Sequence, residues 1–177
     1  MDNALHIAAI WLHILGIALF VGPQFFLAFA WVPTSRGITD LPTRVKAMRK
    51  ITSRFGWIGG IGLLCILIAG TYLIATWRTF YHVDPDVGFN SLRFGVIFSI
   101  KMTILVIMLI ILALHTYKVG PNLLNKLEAQ ANGQPVSDAE LRIARRNSMI
   151  LSISALVLTL LIMVMGTMLT TTSFSLQ

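Results

Sequence analysis

Apolar positions along the chain gather into four long runs, roughly residues 4–32, 55–77, 94–117 and 148–171, and charged positions fall between them, with Lys101 the exception. A run of about 20 apolar residues spans about 30 Å of hydrocarbon as an α-helix. The pattern therefore predicts an all-α fold, an integral membrane four-transmembrane-helix bundle, occupying residues 1–177 as a single transmembrane domain. Polar flanks extend some of these helices. Pro42 suits a first helical turn after Asp40, and Val45, Met48 and Phe55 recur near the helical period. Ser137 and Glu140 stand three apart as a capping box, just after the breakers Gly133 and Pro135. Helices are expected at about 4–32, 42–77, 92–117 and 138–171, with 122–131 as a short interfacial helix. The first run carries Asp2 where a signal peptide has basic residues, and it exceeds the usual apolar core of about 7–15 residues. It reads as a retained helix.

Composition agrees with this pattern: 56% of the chain is hydrophobic and 12% charged. The net charge of +7 would suggest nucleic acid on a soluble face, but its location decides otherwise. Arg36, Arg44, Lys46, Arg49, Lys50 and Arg54 lie in the first connection and Lys118, Lys126, Arg142, Arg145 and Arg146 in or beside the third, whereas Asp84 and Asp86 balance Arg78 and Arg93 in the second. The positive-inside rule then predicts both termini outside, connections one and three in the cytoplasm, and no nucleic-acid partner. The expected location is a bacterial inner membrane. Beyond the bilayer itself, the expected partners are a second copy or the subunits of a larger membrane complex.

Helix two is rich in glycine, at Gly56, Gly59, Gly60, Gly62 and Gly70. Gly56 and Gly60 form a small-xxx-small pair suited to tight helix packing, and clearance for a flat cofactor is the alternative. Pro23 is expected to kink helix one. The lone Cys65 excludes an intrachain disulfide and reads as packing.

Ionisable side chains are costly inside a bilayer and mark candidate chemistry. His13 lies about 13 Å and Lys101 about 10 Å below the outer boundary, so they share a level. His13 is a candidate haem ligand, metal ligand or catalytic proton acceptor; the plain alternative is a hydrogen bond to a neighbouring helix. Lys101 needs an anion such as a propionate, a polar cavity, or a route to snorkel outwards. His6, on the same stripe as His13, sits about 3 Å from the boundary, where interfacial polarity explains it better than ligand use. His115, beside Tyr117 and Lys118, is either a cofactor contact or an interface anchor. Met163, Met165 and Met168 are candidate copper ligands or packing residues.

The segments "LHILGIALFVGPQFF", with His13, Phe20 and Gly22, "MRKITSRFGW" with "IAG", and "IKMTILVIMLIILALH" resemble the HemJ and CopD-like superfamily of four-helix membrane proteins. The resemblance spans about residues 5–170. Phe20 stands where that pattern has Trp, and connection three is longer. A HemJ-like assignment implies a b-type haem and protoporphyrinogen oxidation, with His13 and Lys101 carried over as candidates and His115 after them. The expected catalytic residues are His13 and Lys101, the expected metal ligand is His13, and the expected cofactor contacts are His13, Lys101, His115 and His6. A CopD-like assignment implies copper transport. The leading expectation is a haem-b or porphyrin-binding redox protein; the others are copper transport and a non-catalytic subunit of an energy-transducing complex.

Overall fold

The computed structural model describes residues 3–177; Asp2 lies outside the described residues. Four helices, α1 (Asn3–Ser35), α2 (Leu41–Tyr81), α3 (Arg93–Ala131) and α4 (Asp138–Thr170), are each long and apolar enough to cross a membrane. A one-turn helix, α5 (Thr172–Ser175), follows. No strand occurs among the described residues. The helices outrun their apolar stretches because the flanking sequence still favours helix. Asp40 caps α2, its carboxylate accepting the Thr43 amide hydrogen at 3.0 Å, with Pro42 in the first turn. Ser137 caps α4 by accepting from the Ala139 amide at 3.3 Å. The expected capping box is only half made there, since Glu140 pairs with Lys126 at 2.8 Å instead.

Two helices change winding near one end. The backbone of α1 continues through Pro23 and widens into π-helical turns over Phe26–Trp31. The same happens in α3 over His115–Val119, after which Gly120–Ala131 resumes as α-helix. The stretch expected as a separate interfacial helix is thus the end of α3. Pro121, which has no amide hydrogen to donate, falls where the α-helical ladder restarts.

The helices form two antiparallel hairpins, α1 along α2 and α3 along α4. The hairpins are joined in three layers. In the middle, Phe20, Val21 and Met108 pack with Leu63, Ile66, Leu105, Leu158 and Ile162, drawn from all four helices. At the end holding both termini, Trp77, Phe94, Ile97, Met165 and Leu169 form an aromatic-rich cluster, with Trp77 and Phe94 stacked at 4.4 Å. At the opposite, basic end, Val45, Leu127 and Leu141 close the bundle, and Arg49 pairs with Glu128 at 2.7 Å. Large apolar side chains also point outwards, among them Trp57 at 76%, Phe29 at 69% and Trp11 at 63% exposure. This is the surface a lipid solvent accepts and water does not. Hydroxyls along the spans are satisfied by their own helices, as Thr71 donates to Leu67 O, Ser99 to Gly95 O and Thr159 to Ala155 O.

At the terminal end Arg78 gathers the 82–92 connection by donating to the carbonyls of Asp84, Pro85 and Val87. The tail returns to the start of α3, where the Arg93 amide donates to Gln177 O at 3.0 Å.

Asp40 yields a pH prediction. Hydrogen bonds from the Thr43 side chain and amide hold its carboxyl below the ordinary carboxylate range. A depressed folded pKa contributes stability that is present above the unfolded value and is lost as pH falls through the folded one. Hydrogen exchange at the Thr43 amide, normalised for its intrinsic rate, should lose protection on acidification in the wild type. Asp40→Asn should keep the cap and flatten that dependence; an unchanged acid profile would contradict the assignment.

Candidate functional site

Between the middle and terminal apolar layers lies one polar layer to which every helix contributes. On α1, His13 follows the helical stripe that faces α2, and its Nδ1 meets the Ile66 carbonyl at 3.2 Å. A carbonyl oxygen only accepts, so Nδ1 is the donor and Nε2 carries the ring's lone pair. The ring lies on α2 where Gly70 has no side chain; a Cβ there would stand 3.2 Å from His13 Cε1. Opposite, Lys101 leaves α3 and extends to α4, where a Cβ on Gly166 would be 3.7 Å from its Nζ. The layer's position follows from chain register. Ile66 and Ile74 bracket Gly70, Ile97 and Leu105 bracket Lys101, and Ile162 and Leu169 bracket Gly166, each bracket having one member in either apolar cluster.

Among the described residues Lys101 has no hydrogen bond or ion pair, and the two ion pairs of the bundle are both at the basic end. No Asp or Glu lies in any of the apolar runs. A cation in that position is costly unless an anion, a polar cavity or an outward route to the headgroups meets it.

The other histidines are elsewhere. His6 shares the α2-facing stripe but lies two turns, about 10 Å, from His13. His6 is packed within the bundle: it is 6% exposed, its ring is stacked on Phe80 at 3.6 Å, and its Nδ1 is buried without a partner among the described residues. His115 is about 21 Å along α3 from Lys101. It starts the π-helical turns, its Nε2 meets the Ser152 hydroxyl at 3.3 Å, and its Nδ1 is buried and unpaired. His13 and Lys101 thus share a level between the two apolar clusters, and His6 and His115 lie at other levels. His82 is exposed and ends α2 in the left-handed region at φ 54°.

Glycine roles also separate. The crossing of α1 and α2 uses Gly16 and Gly62, where a Cβ on either would stand 2.7 Å from the other's carbonyl oxygen. Gly56 and Gly60, the expected packing pair, have nothing within 4 Å of a Cβ and face outwards. Gly70 and Gly166, which give room to His13 and Lys101, went unassigned as site residues. A glycine inside a helix costs roughly 1 kcal/mol relative to alanine, which was the available signal.

The donor set fits a haem or porphyrin on one side: one imidazole nitrogen with a lone pair, held by a carbonyl on its other nitrogen, beside one cation suited to a propionate. The chain brings no second imidazole to that place. Both side chains are half-buried, so a bound group would reach them from a face of the bundle. Copper finds less support among the methionines. Met165 is buried in the aromatic cluster, Met168 packs against that cluster, and Met163 is 38% exposed. No three His, Cys, Asp or Glu side chains converge among the described residues. Compared with known protein families, curated proteins and solved structures, the chain has no match.

Proposed function

We propose that the chain is an integral membrane protein, termini outside and connections one and three in the cytoplasm, whose His13–Lys101 pair binds haem b or a related porphyrin. The observation that carries this reading is a lysine in the apolar middle of the bundle with no anion from the chain, set beside an imidazole whose Nε2 is left as acceptor. His13 would hold the iron through Nε2, and the Ile66 carbonyl fixes the ring's tautomer and direction. Lys101 neutralises a propionate, an interaction that gains strength where the dielectric is low. Gly70 and Gly166 keep side chains out of the layer. A bound haem supplies one-electron redox chemistry, in keeping with the protoporphyrinogen oxidation that the HemJ resemblance implies. The orientation rests on the unequal basicity of the connections.

A pyridine haemochrome spectrum of protein purified in detergent from haem-replete cells tests the reading. Haem approaching one per chain is expected. A preparation with no Soret band would overturn it.

A further inference from the structure

We propose that the seam between the start of α2 and the end of α3 is a binding site for an anionic phospholipid, with the headgroup at Lys46 and Arg49 and an acyl chain lying along α2. The inference rests on the helices crossing a bilayer and is independent of the haem reading.

A cavity of about 360 Å³ opens at this seam. Pro42, Val45 and Ala131 give it apolar walls, and Lys46 and Arg49 put two cations on it. Arg49 is already held in place by Glu128 at 2.7 Å and Asn125 at 3.0 Å, which fixes the guanidinium at the mouth and leaves donors to spare. Glu128 offsets one of the two charges. The remaining one, on Lys46, has no ion-pair partner among the described residues, and Lys50 adds another exposed cation a turn further along. A surplus of positive charge over an apolar floor, between helices that enter a membrane, matches a phosphate headgroup still attached to its lipid.

The acyl chain has a track. Lys46, Arg49, Ser53, Gly56 and Gly60 recur at helical spacing on a single stripe of α2, and all are exposed. The stripe begins with the cations and then, one and two turns deeper into the apolar run, has no side chain at Gly56 and Gly60, where nothing lies within 4 Å of a Cβ. Trp57, 76% exposed, flanks this bare strip. Cation, hydroxyl and smooth apolar groove thus follow each other in the order of a phospholipid's own parts. A second copy of the chain, packed through Gly56 and Gly60, is the competing occupant.

Native mass spectrometry of the full chain released from nanodiscs containing equal phosphatidylglycerol and phosphatidylcholine distinguishes them. One retained phosphatidylglycerol per chain is expected. Lys46→Gln should cut the preference for phosphatidylglycerol about fivefold, as for one cation near an anionic surface. Gly60→Val, which leaves charge unchanged, should reduce retention of the lipid as well. Equal retention of both lipids would overturn the proposal, as would protection by inorganic phosphate alone equal to that by phosphatidylglycerol. So would a wild-type dimer that Gly60→Val turns into a monomer with lipid retention intact. Haem content plays no part in these readings, so their failure leaves the haem proposal standing, and the reverse holds too.

Discussion

Gly62→Ala and Gly16→Ala should each force α1 away from α2 and destabilise the bundle by about 1–3 kcal/mol or more, the range of overpacking in a filled interior. A methyl group on Gly62 would meet Gly16 O and Phe20 N, both at 2.7 Å, and one on Gly16 would meet Gly62 O at 2.7 Å and Ile66 N at 2.9 Å. These neighbours are backbone, so no side-chain rotation relieves the contact, and the helices themselves must separate. Helices in lipid associate through close packing rather than through exclusion of water, which makes lost contact hard to replace. The shift reaches the polar layer as well, because Ile66 both abuts Gly16 and holds the His13 ring. Gly56→Ala, with open space around it, is the control and should gain up to about 1 kcal/mol from helix propensity. Unfolding in mixed micelles, followed by circular dichroism, measures the difference. Equal stability of Gly62→Ala and Gly56→Ala would contradict the crossing.

Lys101→Met should keep the fold and weaken haem binding. Methionine fills much the same volume and brings no unpaired charge, so the four helices continue to meet. A hydrogen bond to a charged group is worth about 1.5–3 kcal/mol. Losing it at the propionate corresponds to a roughly ten- to hundredfold fall in affinity. Lys101→Arg should be milder, since it retains the cation at a different reach. Haem per mole of purified chain is the readout, with circular dichroism to show that the helices persist. Wild-type occupancy in Lys101→Met would remove Lys101 from the site and assign it to snorkelling towards the headgroups.

Much of this arrangement was legible in the sequence, and the remainder depended on facts that one helix does not hold. Four apolar runs place four helices, and a rise of about 1.5 Å per residue puts His13 and Lys101 at one level before any packing is known. Which of α2's glycines meets α1 was not legible. Gly56, Gly59, Gly60 and Gly62 are equivalent by composition, and only the register of the partner helix selects Gly62 for the crossing with Gly16. The burial of His6 was hidden for a related reason. Its own helix gives only its depth, whereas α2 runs on to Tyr81 and its added turn lays Phe80 over the imidazole. The π-helical turns at Phe26–Trp31 and His115–Val119 carry no residue signature beyond the prolines near them. Gly166 acquires meaning only when Lys101 is seen to reach across from another helix.

If His13 Nε2 holds the iron, imidazole should rescue a variant that lacks the ring. In His13→Gly the imidazole is deleted while the neighbouring Ile66 carbonyl and Lys101 remain. Protein of this variant, purified with and without added imidazole, is read by its Soret band. The band should be lost or shifted without imidazole and return to the wild-type position when imidazole is supplied. A wild-type Soret band in His13→Gly without imidazole would contradict it.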